Sequence, residues 1–288
     1  MTPREAIRQA ARCLEDAGVP DPLYDAAALL AHVTGRNALL LRMDSDHPLT
    51  QEQQASYDAL LHRREARIPL QHLLGTAWFY GRAFSVSGDV LIPRPETELL
   101  VSRALALMPS VPAPLSVLDL CTGSGCIAIS VRLEAGVSVS VSASDISPAA
   151  LSAAERNARQ LGARDIRFLE GSLFDPLRDG ERFSMILSNP PYIPTGICGE
   201  LQPEVRHDPM LALDGGKDGL DIVRGILRGA PEHLLPGGVL LMEIGFDQAE
   251  SVSHLISESG VFSPAAILKD EAELDRVVET RYAPRSRA

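Results

Sequence analysis

Cysteine is scarce in this 288-residue chain: Cys13, Cys121, Cys126 and Cys198 are the full set, and their spacing fits neither a metal site nor a disulfide framework. Free thiols in a reducing compartment are the expected state. Basic charge is also short. Lys and Arg total 27 against 38 Asp and Glu, a formal charge of −11, which argues against a dedicated nucleic-acid surface. No apolar run approaches the length of a membrane span, and no secretory signal pattern is visible at the start. Internal repeats and low-complexity tails are missing as well. These absences predict a soluble cytoplasmic monomer with no direct nucleic-acid or membrane partner. The apolar fraction, 45%, is ordinary, and the length suits one large domain plus a smaller one.

Residues 1–75 read as helices only. Thr2-Pro3-Arg4-Glu5 is a capping box with proline at the first helical position, leading Ala6, Ile7, Ala10, Ala11, Leu14 and Ala17 along one face to a stop at Gly18. A second helix is expected over 25–34, ending near Gly35. Thr50-Gln51-Glu52-Gln53 opens a third, through Leu60, Leu61 and Arg64. His32 and His62 stand without a carboxylate or cysteine cluster, so they read as core-edge or surface residues rather than ligands. This block shows no chemistry of its own.

Residues 76–95 change pattern. Trp78-Phe79-Tyr80-Gly81 and Phe84-Ser85-Val86-Ser87-Gly88 predict a β-hairpin or extended linker bounded by glycines. Pro93-Arg94-Pro95-Glu96 follows, before a helix through Leu99, Leu100, Ala104 and Leu107. Two readings stand for Arg94 and Glu96: a rigid hinge with an acid suited to a helix N-terminus, or residues lining a site roofed by the linker.

From 96 onward an α/β pattern is expected. Strand Ser116–Leu120 empties into a tight turn, Cys121-Thr122-Gly123-Ser124-Gly125, and a helix starts at Cys126. The next strand ends in Asp145, about 20 residues past the turn, where such folds place an acid on ribose hydroxyls. Further strands are expected at 166–170, 183–187, 239–243, 265–268 and 276–279. The helix before the 239–243 strand is expected over 220–235, stopped by Pro236-Gly237-Gly238. By itself the glycine turn is a weak signal shared with dinucleotide-binding enzymes, but the third glycine of G-x-G-x-x-G is replaced by Ala128.

The most informative stretch is Ser188-Asn189-Pro190-Pro191-Tyr192, directly after the apolar strand 183–187. One reading is a stiff turn. The other is chemical: the residue before a proline is held extended, a carboxamide offers an acceptor and donors, Pro190 keeps its carbonyl, and Tyr192 adds a flat ring. Together these suit a planar group bearing NH2.

With the glycine turn and Asp145, the stretch resembles class I S-adenosylmethionine-dependent methyltransferases acting on amides or adenines. The segments 91–100, 119–125, 145–147, Asn157-Ala158, 188–194 and 215–221 are more narrowly similar to HemK-type peptide-chain release factor glutamine N5-methyltransferases. The resemblance implies a seven-stranded Rossmann-like sheet with its last strand inserted antiparallel, a methyltransferase domain over 96–288, and a helical domain over 1–75 that recognises substrate. It implies that Cys121, Thr122, Gly123, Ser124 and Gly125 pass around the methionine end of S-adenosylmethionine, that Asp145 holds the ribose, that Leu173 and Phe174 lie near the adenine, and that Asn189 also meets the cofactor. Cys121 stands where many methyltransferases have glycine. Asn189, Pro190, Pro191 and Tyr192, with Arg94 and Glu96, are implied to meet the substrate, the glutamine of the Gly-Gly-Gln loop of class-1 release factors. Two alternatives are an adenine-N6 nucleic-acid methyltransferase, which needs the same grip on a planar NH2, and a non-catalytic cofactor-binding protein.

Overall fold

A computed structural model describes residues 1–284 of the chain. These fall into two compact units, Met1–Thr76 with Leu201–His207, and Ala77–Glu200 with the chain from Asp208 onward.

The first unit is helical: α1 (Pro3–Asp16), α2 (Pro22–Thr34), α3 (Ala38–Met43), α4 (Gln51–Glu65) and α5 (Leu70–Leu74). Both expected capping boxes close, at Thr2 and at Thr50. α2 starts three residues before Asp25, because Pro22 takes the first helical position, where a missing N–H costs no bond. α3 and α5 are too short to show a readable period. Their stripes enclose Ile7, Leu14, Leu29, Leu30 and Leu41, with the hydroxyl of buried Tyr57 donating to the Ala26 carbonyl at 2.9 Å. His32 and His62 are both exposed.

Charge is buried here too. Arg64 Nε donates to Asp25 Oδ2 at 2.7 Å and its Nη2 to Glu204 Oε1 at 2.9 Å. Arg67 meets both oxygens of Glu204, at 2.6 and 2.7 Å. Burial lifts Asp25 above the usual carboxylate range against the pull of Arg64. At Glu204 burial also pushes upward, but the bonds from Arg67 and Arg64 together hold it down at about 2. A buried arginine needs paired acceptors, and residues 201–207 belong to this unit because they bring one.

The second unit is built on a seven-stranded sheet: β3 (Ser116–Leu120), β4 (Ser140–Asp145), β5 (Ile166–Glu170), β6 (Phe183–Ser188), β7 (Leu234–Glu243), β8 (Ala266–Lys269) and β9 (Asp275–Arg281). The order is β5-β4-β3-β6-β7-β9-β8, with β9 inserted antiparallel between β7 and β8. This is the class I methyltransferase architecture expected above. Alternate strand residues face opposite layers. Val117, Met185, Leu187, Val239, Leu241 and Val277 pack on the side of α6 (Glu98–Leu107), α7 (Cys126–Glu134) and α8 (Pro148–Leu161). Leu118, Ile186, Leu240, Met242 and Val278 pack with α10 (Asp221–His233) and α11 (Ala249–Ser259). A short α9 (Met210–Leu213) precedes α10.

One sequence expectation is corrected. Pro236-Gly237-Gly238 lies inside β7 rather than ending the preceding helix, which stops at His233. The irregular pairing of β6 with β7 between Phe183 and Met185 accommodates it, as a strand proline requires. α11 was not expected, since only Val252 and Ile256 of its residues are buried, too thin a stripe to stand out.

The hairpin β1 (Thr76–Phe79) and β2 (Arg82–Ser85) turns through Tyr80 and Gly81, both left-handed at φ +48° and +72°, the conformation that matches hairpin twist. From Ala77 on it belongs to the second unit. Buried Asn157 of α8 accepts from Ser85 N at 2.8 Å and donates to Ser85 O at 3.1 Å and Ser124 O at 2.9 Å. One carboxamide thus ties the hairpin to the glycine turn. Asn157→Ala is expected to destabilise the protein by roughly 2–3 kcal/mol, the scale of leaving buried amide partners unmet. An unchanged urea midpoint would show that the hairpin is held elsewhere.

Candidate active site

β3, β4, β5 and β6 run parallel and end at one edge of the sheet. The loops after them line an open crevice with a cavity volume of about 150 Å³. Strand order reverses at β3, the place where open α/β sheets take ligands. Cys121, Gly123, Asp145, Leu173, Asn189 and Pro191 all stand in its wall.

The turn after β3 is shaped by backbone demands. Cys121 is left-handed at φ +58°, a conformation that glycine reaches freely and that costs a side-chain-bearing residue roughly 1–2 kcal/mol. Gly125 has a different reason to be glycine: a Cβ there would sit 2.9 Å from Ile129 Cδ1 and 3.0 Å from Ala154 Cβ, so its absence lets α7 and α8 close up. At Gly123, φ +55°, nothing lies within 4 Å of where a Cβ would be, and the backbone is open to the crevice. Thr122 and Ser124 are buried within the turn. Beneath it Asp119 Oδ2 accepts from the Thr122 hydroxyl at 2.6 Å and from Ala128 N at 3.1 Å, while Oδ1 has no partner. Burial pushes Asp119 up to about 7.

Asp145 ends β4 with both carboxylate oxygens on backbone: Oδ2 accepts from Gly123 N and Oδ1 from Ser147 N, each at 2.9 Å. Burial raises it, and those bonds oppose the rise. It therefore couples the two loops and faces the crevice.

After β5, Leu173 and Phe174 part company. Leu173 lines the crevice, while the Phe174 ring stacks on His233 at a centroid distance of 5.0 Å and is not in the crevice wall. α10 is shaped to receive both. A Cβ at Gly225 would lie 2.7 Å from Leu173 Cδ1, and one at Gly229 2.3 Å from the Phe174 ring.

At the end of β6, Asn189 Nδ2 donates to the Thr97 hydroxyl oxygen at 3.1 Å. Thr97 in turn donates to Glu243 Oε2 at 2.6 Å, and the Tyr192 hydroxyl donates to Glu243 Oε1 at 3.3 Å. Pro190 is buried and Tyr192 half-buried, neither in the crevice wall. The backbone of Pro191 and Tyr192 is pressed against the 215–221 loop. A Cβ at Gly215 would fall 2.8 Å from Pro191 O, and one at Gly219 2.3 Å from Tyr192 O. Gln248 adds a clasp, its Nε2 donating to Tyr192 O at 2.9 Å. Close backbone approach explains these glycines, a role that sequence did not reveal.

Arg94 donates to buried Asp208 at 2.7 Å, Glu96 is exposed, and neither stands in the crevice wall. Residues missed from sequence include Val90, Leu91, Ile146 and Leu211 in the wall, and Thr97, Glu243 and Gln248 around Asn189 and Tyr192. Glu243 had a visible signal, a carboxylate closing an otherwise apolar buried strand.

No side chain here is poised as a nucleophile or strong base. Burial pushes the thiols of Cys121 and Cys126 up to about 12, and it raises the Tyr192 phenol, with Glu243 adding to the rise. What the arrangement offers is a set of fixed acceptors beside a crevice with one open backbone turn.

Comparison with known proteins covers nearly the whole chain. The PrmC N-terminal domain model matches residues 5–75 and the methyltransferase small domain model residues 97–197. A release factor glutamine methyltransferase from Geobacter sulfurreducens is 44% identical over 269 residues, 93% of this chain and 92% of that one. One from Cereibacter sphaeroides is 41% identical over 286 residues, 98% and 99% of the two chains. Among solved structures, a methyltransferase from Pyrococcus furiosus has a TM-score of 0.52 at 16% identity, over 80% of this chain and 99% of that one. The human methyltransferase 10 domain containing protein gives 0.51 at 13%, over 72% and 90%. At such identities these two speak for the fold alone.

Proposed function

The chain belongs to the release factor glutamine methyltransferase family, and from that premise we propose how its residues transfer a methyl group from S-adenosylmethionine to the side-chain amide nitrogen of a release-factor glutamine. The residues present fit the cofactor. The turn at Gly123 has room where a Cβ would stand, Asp145 faces the crevice, and Leu173 and Ile146 give it apolar wall. Asp119 Oδ1 is a buried acceptor without a partner. In this reading the 121–125 turn holds the methionine end, Asp145 the ribose hydroxyls, and Leu173 the adenine side. Phe174 stays stacked on His233.

When bound, S-adenosylmethionine supplies an electrophilic methyl group on a sulfonium. An amide nitrogen is a poor nucleophile because its lone pair is delocalised into the carbonyl. Asn189 Oδ1 and the Pro190 carbonyl accept its two hydrogens, which favours electron density on nitrogen and stabilises the positive charge that develops there. Tyr192 packs on the amide plane, its ring steadied by the hydroxyl bond to Glu243. Holding nitrogen in line for attack supplies several kcal/mol. The surplus proton leaves to solvent afterwards, so no base is needed.

The observation that carries this reading is the Asn189 amide, anchored through its nitrogen to Thr97 beside the open turn. An adenine grip would need a phosphate-binding surface as well, and the formal charge of −11 disfavours one. No helix among the described residues is long and apolar enough to cross a membrane, and we read the protein as a cytoplasmic monomer. The helical unit, having no chemistry of its own, recognises the folded substrate, whose Gly-Gly-Gln loop tip threads into the crevice because glycine permits close approach.

The test is incubation with labelled cofactor and a purified release factor, followed by mass spectrometry. Methyl addition on the loop glutamine, abolished when it is changed to alanine, is the expected result. Labelling of DNA with none on the release factor would sink the assignment. A chain beginning at Trp78 should bind cofactor yet lose most activity on the folded factor; full activity would show that the helical unit is dispensable.

A further inference from the structure

Glu243 closes β7 after four buried apolar residues, Val239 to Met242, and is itself only 1% exposed. The amide chemistry above gives it no part beyond holding Tyr192. A carboxylate has lone pairs and no hydrogen to give. Thr97 has one hydroxyl hydrogen, and at 2.6 Å from Glu243 Oε2 that hydrogen is committed to the carboxylate. Toward Asn189 the Thr97 oxygen is therefore an acceptor, and the group facing it at 3.1 Å has to be the NH2. That leaves Asn189 Oδ1 for the opposite side. The two ends of a carboxamide are nearly equal in shape, so without this chain nothing in the contacts selects one orientation over the other.

We propose that Glu243 and Thr97 are positioning residues that lock the direction of the Asn189 amide, and that the lock lets the site tell a carboxamide from a carboxylate. The inference rests on the glutamine reading above. A locked Oδ1 accepts from a glutamine NH2 but confronts the oxygens of a glutamate, acceptor against acceptor. An Asn189 free to turn offers NH2 to glutamate as readily as oxygen to glutamine. Around Glu243, Thr97 and Tyr192 donate to it, Arg276 attracts from β9, and Glu96 repels; burial dominates and lifts it to about 7. The lock is therefore tested at about pH 8, where the carboxylate form prevails.

Calorimetry on the full chain would compare affinity for a purified release factor with affinity for the same factor carrying glutamate in place of its loop glutamine. Wild type is expected to prefer glutamine by about tenfold or more, since a site built to bond a hydrogen rejects a partner lacking it. Thr97→Val, without a hydroxyl, should bring that ratio to within about threefold of unity, while Thr97→Ser keeps it. Glu243→Gln, whose NH2 can donate to Thr97 and reverse the chain, should also lose the preference, and it carries the test should Thr97→Val not fold. A merely structural role would weaken both ligands alike. Wild-type ratios in both Thr97→Val and Glu243→Gln, or no preference in a wild type that methylates the factor, would overturn the proposal. A wild type that neither methylates nor discriminates would sink the glutamine reading first, and the lock with it.

Discussion

Asn189→Ala is expected to lower kcat for glutamine methylation by roughly 10²–10³-fold, the scale of deleting one fixed polar contact to charge that develops in a transition state. The affinity for S-adenosylmethionine should stay within about threefold of wild type, because a contact used at the reacting amide acts on turnover rather than on uniform binding. Removing the carboxamide also strips Thr97 of the donor that now meets it at 3.1 Å, a cost to local order that leaves the 121–125 turn and Asp145 untouched. Single-turnover rates beside a cofactor titration separate the two effects. Asn189→Asp probes further: it keeps acceptors, loses the NH2 that Thr97 receives, and adds charge next to buried Glu243. Wild-type turnover in either variant would mean that the amide is gripped by something else.

Asp145→Ala should act on the other half of the reaction. A hydrogen bond to a charged group is worth roughly 1.5–3 kcal/mol, so cofactor affinity should fall by about ten- to a hundredfold. The loss has two sources. The ribose hydroxyls lose their acceptor, and Gly123 N and Ser147 N lose the carboxylate that fixes both loops. Asp145→Asn keeps one acceptor oxygen and should recover part of the affinity. Calorimetric titration of a folded Asp145→Ala protein that still bound with wild-type affinity would remove the residue from the site.

Much of this architecture was legible in the sequence, because short apolar runs between turn residues leave strands few alternatives. The spans 116–120 and 166–170 coincide with β3 and β5 as observed. Asp145 stands out by its spacing from the turn and Asn189 by the chemistry of its neighbours, and both lie in the crevice wall. What stayed hidden depends on side chains meeting across long separations. Glu243 matters through Thr97, 146 positions earlier, and no local pattern reports that pairing. Leu173 and Phe174 look interchangeable as adjacent apolar residues, and only the crevice wall on one side and the His233 ring on the other tell them apart. The boundary of the helical unit was equally invisible, since residues 201–207 join it through Glu204 rather than through any periodicity.

That last membership bears on the order in which the chain is made. Glu204 lies 140 positions after Arg64, and at synthesis rates of about 5–20 residues per second it leaves the ribosome roughly 7–30 s later. Until then the nascent helical unit holds Arg64 with Asp25 and the Ile68 carbonyl, and Arg67 without the carboxylate that meets two of its nitrogens. Its final ion pairs close only after β6 and the Asn189 segment have been synthesised. A unit that comes first in the sequence is thus completed late, and a polypeptide arrested before residue 204 would emerge with its methyl-transfer strand written but its first helices still unlocked.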